Sequence, residues 1–244
     1  LGARIGRVED TLGARIGRVE DTLGARIGRV EDTLGTRMGH VERATASLDA
    51  ELRNDELRPL TRRRIERYRK ATDSHRRKLQ KLLQPVDVQS LQGNYQSYLA
   101  MRTRLPSDQG LNTYYANVHR DWCWGDEENK ASLKQLQSVL HDSAELGNVL
   151  VLGAGAGRLA YDLHMQMDCA ATIAMDFNPL LLLIARAVVG GDKLRMYEFP
   201  IAPRSLEDDA VLRTLSAPEL VRDGFHLVLG DALRAPFAPE SFDT

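Results

Sequence analysis

Cysteine is scarce in this sequence. Cys123 and Cys169 are the only two in 244 residues, and no Cys/His cluster has metal-ligand spacing. That excludes a disulfide-stapled scaffold or a zinc module, and it fits reduced thiols in a cytoplasmic protein with no metal site. A membrane-length apolar run is also missing: Leu180 to Val189 is far too short to span a bilayer and contains Arg186. No signal-peptide pattern opens the chain. Net charge is nearly zero, at −1, so the chain as a whole has no pull toward nucleic acid or a membrane surface. Aromatics make up only 6%, yet the hydrophobic content of 43% is that of a globular protein. An initiating Met is lacking too, and the last residues, Phe242-Asp243-Thr244, read as the middle of a strand. A fragment of a longer protein is the expectation.

The chain begins with repetition. Residues Leu1 to Ala44 are four copies of one unit, LGARIGRVEDT three times and then LGTRMGHVERA. Apolar residues fall at Leu1, Ile5, Val8, Leu12, Ile16 and Val19. An eleven-residue period corresponds to about 3.67 residues per turn, the pattern of a right-handed helical coil. Two glycines per unit oppose it, each costing about 1 kcal/mol relative to Ala inside a helix. The pattern therefore predicts a marginal helix that needs a partner. An interaction stalk that self-associates through residues 1–44 and a passive tail fit it equally well.

From Leu57 to Gln84 the period is firmly helical, with Ile65, Tyr68, Thr72, His75, Leu79 and Leu82 in one stripe and Pro85 as the stop. The other faces carry Arg62, Arg63, Arg64, Arg67, Arg69, Lys70, Arg76, Arg77, Lys78 and Lys81. Such a face could bind a polyanion; with no aromatic or motif joined to the charge, a solvated face is the expectation and nucleic acid is not an expected partner. His75 lies in the stripe and reads as packed. A second helix is predicted over Val88–Arg102, then a loop from Leu105 to Gly110, then helical turns toward Val118. Trp122 and Trp124 sit among dense charge, which suits either a lid over a cofactor or a structural aromatic plug. Asp126 is placed to cap the next helix, with Leu133, Leu136, Val139 and Leu140 inward and Gly147 at its end.

The second half is organised around Asn148 to Asp176. Val149 to Leu152 is a continuous apolar run, as in a strand buried on both faces. Gly153-Ala-Gly155-Ala-Gly157 follows and leads into a helical pattern. Three glycines so close together fit a strand-to-helix turn whose backbone approaches a ligand. A second apolar run, Ala171 to Met175, ends in Asp176, where a ribose diol would be gripped. Asn178-Pro179 reads as an N-cap with proline at the first helical position, and the helix closes on Gly190-Gly191. The long segment from Asp192 to Gly224 is predicted to hold a helix through Leu212 and Leu215. Phe225 to Leu229 is the next strand, ending in Gly230-Asp231-Ala232, and a further strand starts at Ser241-Phe242-Asp243. Gly155-x-Gly157-x-x-Ala160 also fits a dinucleotide fingerprint, so the glycine loop alone leaves NAD(P) open.

With these motifs in sequence, residues 112–244 resemble a class I S-adenosylmethionine-dependent methyltransferase. Gly230-Asp231-Ala232 followed by Pro236-Phe237 and Ser241-Phe242-Asp243 is the part that NAD-binding domains rarely share. The likeness is closest to the carnosine N-methyltransferase family, which carries a similar loop to Val151-Leu152-Gly153-Ala-Gly155-Ala-Gly157-Arg158-Leu159-Ala160 and an upstream motif similar to Arg120-Asp121-Trp122. Trp124 and the Gly-Asp-Glu-Glu after it depart from the family pattern.

The resemblance implies an α/β fold with a Rossmann-like class I methyltransferase sheet, C-terminally incomplete; the residue patterns place a helical region and the eleven-residue-repeat helix before it. Residues 1–50 would be the repeats, 51–125 the helical region with the basic helix and cofactor lid, and 126–244 part of an S-adenosylmethionine-binding domain. It also implies roles. Arg120 would reach the cofactor carboxylate, with Asn117 in place of a family glutamine. Gly153, Gly155 and Gly157 would contact the cofactor through their backbone. Asp176 would hold the ribose where the family has glutamate, and Asp231 with Ala232 would read the adenine. The implied reaction is N-methylation of a small molecule or peptide. No catalytic base is identified; His119 adjoins the motif, where an orienting role suits it equally. As a fragment without the later strands, the chain is expected to be unstable and inactive alone. An NAD(P)-dependent oxidoreductase and a non-catalytic coiled-coil interaction protein are the alternative readings.

Overall fold

The computed structural model describes residues 42–83, 116–140, 145–200, 202–235 and 237–244. They belong to one compact unit, formed by Arg37–Leu83 with Gln109–Thr244. Most of the repeats, the helix expected over Val88–Arg102 and the loop after it lie outside the described residues.

The fold is mixed α/β. Three parallel strands, β1 (Gly147–Leu152), β2 (Cys169–Asp176) and β5 (Phe225–Leu229), form a sheet in the order β1-β2-β5. Parallel neighbours need a crossover, which β1 and β2 obtain through a helix (Arg158–Gln166) and β2 and β5 through a second helix (Pro179–Val189) followed by a hairpin. The other edge of β1 is also engaged. Thr244 N donates to Asn148 O at 3.4 Å and Leu150 N donates to Thr244 O at 2.9 Å, the pattern of a parallel bridge opposite Val149. The expected start of a further strand thus runs beside β1.

Residues 42–52 are helical, and the helices that follow are α1 (Pro59–Leu83), α2 (Asp126–Leu140), α3 (Arg158–Gln166) and α4 (Pro179–Val189). The stripe of α1 behaves as its spacing predicts, with Ala71, His75 and Leu79 buried and Tyr68 stacked on Phe199. Part of its basic surface is engaged within the chain, while Arg63, Lys70, Arg77 and Lys81 are exposed. Arg64 makes a bidentate contact with Asp209 at 2.7 and 2.8 Å, Arg67 donates to the carbonyls of Glu207 and Ala210, and Arg62 donates to those of Leu52 and Asn54. The arginines hold neighbouring loops in place. Helix α4 is apolar almost all round because it is buried almost all round, its short length suiting a core helix. Asn178 caps it as expected, accepting from Leu180 N at 3.1 Å.

Several expectations are corrected. Leu212 and Leu215 lie on a strand: β3 (Leu194–Glu198) pairs antiparallel with β4 (Val211–Leu215). Leu215 is buried while Leu212 is 38% exposed; with β-branched Val211 and Thr214 also present, pairing with β3 prevails over the helical spacing. Val139 is 78% exposed and not on the inner face of α2, which packs through Leu133 and Leu136. Helix α2 ends at Leu140, and Gly147 opens β1 instead of closing the helix. Asp126 is the first residue of α2. β1 is not buried along its whole length, since Leu152 at its tip is 51% exposed. Among the described residues, no helix is long and apolar enough to cross a membrane.

The larger core cluster gathers Leu79 of α1, Val118, Trp122, Tyr161, most of α4, and Met196 and Leu215 of the hairpin. A smaller one joins Leu133 of α2, Val149 of β1 and Leu163 of α3.

Candidate functional site

All three strands of the parallel sheet end at the same edge, because Leu152 pairs with Met175 and Asp176 with Leu229. The segments after them therefore meet there. After β1 comes the glycine loop, with Gly153 at φ +64° and Gly155 at φ +60°, left-handed values that disfavour any side chain. A Cβ placed on either residue would meet nothing within 4 Å, so the loop backbone faces open space. Gly157 has the same handedness as the N-cap of α3.

After β2 comes Asp176, 7% exposed. Its Oδ2 accepts from Gly155 N at 2.8 Å and its Oδ1 from Asn178 N at 2.7 Å. Burial raises its pKa, opposed by amide donors from Asn178, Gly155 and Phe177. Beyond β5, Gly230 N donates to Asp176 O at 3.0 Å, and Asp231 caps the short turn Ala232–Arg234 by accepting from Leu233 N at 3.0 Å. The rim carries three exposed apolar side chains: Leu152 at 51%, Phe177 at 43% and Leu233 at 94%. Gly153, Gly155, Gly157, Asp176, Asp231 and Ala232 are thus brought to one edge.

The upstream motif forms a π-helical turn, Arg120–Trp124, that docks on the glycine loop. Trp122 is the contact residue, its indole N–H donating to Ala156 O at 2.8 Å and its ring standing edge-on to Tyr161. Ser216 N donates to Trp122 O at 3.1 Å, so the turn braces the loop against the β3–β4 hairpin. Trp122 is the structural plug, whereas Trp124 is 51% exposed and donates to Glu198 at 2.9 Å. Arg120 keeps its guanidinium on Asp121 at 2.8 Å, with Glu128 at 3.8 Å. Asn117 is half-buried on the helical residues 116–119 that lead into the turn. His119 is wholly buried, which suits a packing role.

Arg158 is the residue that sequence reasoning passed over. It is 5% exposed and serves Asp162 through Nε at 2.9 Å, the carbonyl of Asp121 at 2.8 Å and Asp126 at 3.0 Å, with its guanidinium over the Trp122 ring. The signal was its place one residue after the last loop glycine, on the first turn of α3. Burial raises the pKa of both Asp121 and Asp162 against the pull of their arginine partners. Burial also raises the Cys123 and Cys169 thiols, keeping them protonated and poorly nucleophilic. Among the described residues, no three His, Cys, Asp or Glu side chains come together as a metal site.

Comparison with protein-family models finds no match for the chain, and comparison with curated proteins finds none either.

Proposed function

We propose that this edge binds S-adenosylmethionine and that the chain carries the cofactor site of a class I methyltransferase acting on a nitrogen of a small molecule or peptide, as in the carnosine N-methyltransferases it resembles. The observation that carries the reading is the convergence of the glycine loop, Asp176 and Gly230-Asp231-Ala232 at one end of parallel strands. The strand order switches at β1: β2 lies on one side of it and Asp243-Thr244 on the other. In open, Rossmann-like α/β sheets, ligands occupy the crevice at such a switch point.

The loop's own hydrogen bonds favour this cofactor over a dinucleotide. Ala154 N donates to Met175 O, Gly155 N to Asp176 and Gly157 N to Ala154 O. A pyrophosphate needs amides of this kind. A nucleoside with an amino-acid tail relies instead on carboxylate acceptors, apolar contact and a cation for its carboxylate. Asp176 and Asp231 would face ribose and adenine, the rim of Leu152, Phe177 and Leu233 would flank the base, and Arg120 would meet the tail. Bound there, S-adenosylmethionine supplies an activated methyl group. The chain's contribution is alignment and exclusion of water, worth up to ~7–11 kcal/mol in favourable cases.

Isothermal titration with S-adenosylhomocysteine and, separately, NAD tests the proposal. Saturable binding of the first, weakened by Asp231→Ala, is expected. Binding of NAD alone would replace the methyltransferase reading with an oxidoreductase, and binding of neither would favour an interaction protein.

A further inference from the structure

We infer that Asp176 is a positioning residue: it holds the glycine loop in its ligand-facing form through Gly155, a role beyond the ribose acceptor that the resemblance implies. Its two oxygens hold two different elements, Oδ2 accepting from Gly155 N at 2.8 Å and Oδ1 from Asn178 N at 2.7 Å, where α4 begins. The neighbouring amide, Ala154 N, donates to Met175 O at 3.0 Å. Two consecutive loop amides are therefore fastened to the last two residues of β2. Gly155 has no side chain to hold it and sits at φ +60° with open space around its Cα, so a hydrogen bond is what restricts it. Asp176 is 7% exposed, recessed behind the loop it fastens.

The two roles predict different responses to substitution. Asparagine has one acceptor oxygen and one NH2 group, so it cannot accept on both sides; glutamate keeps the charge and moves it. The exchange measurement is independent of the proposed function, whereas the ligand measurement rests on it. Amide hydrogen exchange of the whole chain is to be followed at Gly155 and, as an internal reference, in the β1–β2 ladder, for wild type, Asp176→Asn and Asp176→Glu. Sequence neighbours of Gly155 are unchanged, so its intrinsic rate is constant. Exchange at Gly155 should rise at least about tenfold relative to the ladder in both variants, since a bond to a charged acceptor is lost.

In the ligand measurement, S-adenosylhomocysteine affinity should fall by a similar factor in the variants, and affinity for a 2′,3′-dideoxy analogue should fall with it, because the loop contact does not depend on the ribose hydroxyls. Unchanged exchange at Gly155 in both variants would overturn the inference. So would a loss of affinity in the variants that disappears with the dideoxy analogue, because Asp176 would then act only by gripping the ribose. Should wild type bind no S-adenosylhomocysteine, the proposed function fails and the exchange result decides the inference alone. Should Asp176→Asn not fold, Asp176→Glu carries the same test.

Discussion

Trp122 and His75 show how single buried side chains hold this protein together. The Trp122 indole N–H satisfies the buried carbonyl of Ala156 in the glycine loop. Trp122→Phe keeps most of the ring packing and leaves that carbonyl without its donor, at a cost of about 1–3 kcal/mol, measurable by urea denaturation. His75 is 2% exposed between α1 and β3, its Nε2 2.8 Å from Tyr197 O and 3.0 Å from Tyr197 N. Burial lowers its pKa from 6.5 to about 4, with His119 contributing a smaller push. Between those values the unfolded chain holds the proton and the folded chain does not. Stability is therefore complete above about pH 6.5 and declines as pH falls toward about 4, by on the order of 3 kcal/mol in total. Asp121, Asp162 and Asp176, whose pKa values are raised by burial, act in the opposite direction at the acid end. The His75 contribution is thus read as the difference between wild type and His75→Gln across pH 4 to 7, and the variant should lack this part of the slope. The packed role of His75 was legible in its place on the apolar stripe. Its partner was not, because Tyr197 lies 122 residues away.

At the level of elements, local signals were reliable where the chain decides its own conformation. The Asn178-Pro179 start of α4, the apolar stripe of α1 and the glycine loop all form as their patterns predict. They failed where a distant segment decides. Leu212 and Leu215 have helical spacing, yet β3 offers β4 a partner and Leu215 a place in the core. Val139 continues the stripe of α2 but falls beyond the surfaces of β1 and α3 that the helix covers. Arg64 and Arg67 of α1 read as part of a solvated face because Asp209 and the carbonyls of Glu207 and Ala210 are some 140 residues away in sequence. The glycine loop makes its own prediction. Gly155→Ala places a methyl in a left-handed backbone with nothing within 4 Å, so folding should lose only about 1–2 kcal/mol. That methyl would project into the space assigned to the ligand, so S-adenosylhomocysteine binding should suffer far more than stability. Thermal unfolding and titration of the same variant give the comparison, and equal losses would speak against a ligand above the loop.

For the molecule as a whole, the parallel sheet and its crossovers place four separated stretches of sequence at one edge: the glycine loop, Asp176, Gly230-Asp231-Ala232 and, through Trp122, the upstream turn. The order of the first three motifs was legible because each follows an apolar run. The bracing by Arg158 and Trp122 was not, since it depends on a π-helical turn whose partners lie 34 to 37 residues further along the chain. The central claim is that a nucleoside cofactor binds where these stretches meet. The most direct test is to titrate the isotopically labelled chain with S-adenosylhomocysteine and map which backbone amides shift. The account predicts saturable changes at Arg120, Gly153–Gly157, Asp176–Phe177 and Asp231–Leu233, with α1 unaffected. Shifts centred on the arginines of α1, or none at the glycine loop, would contradict it.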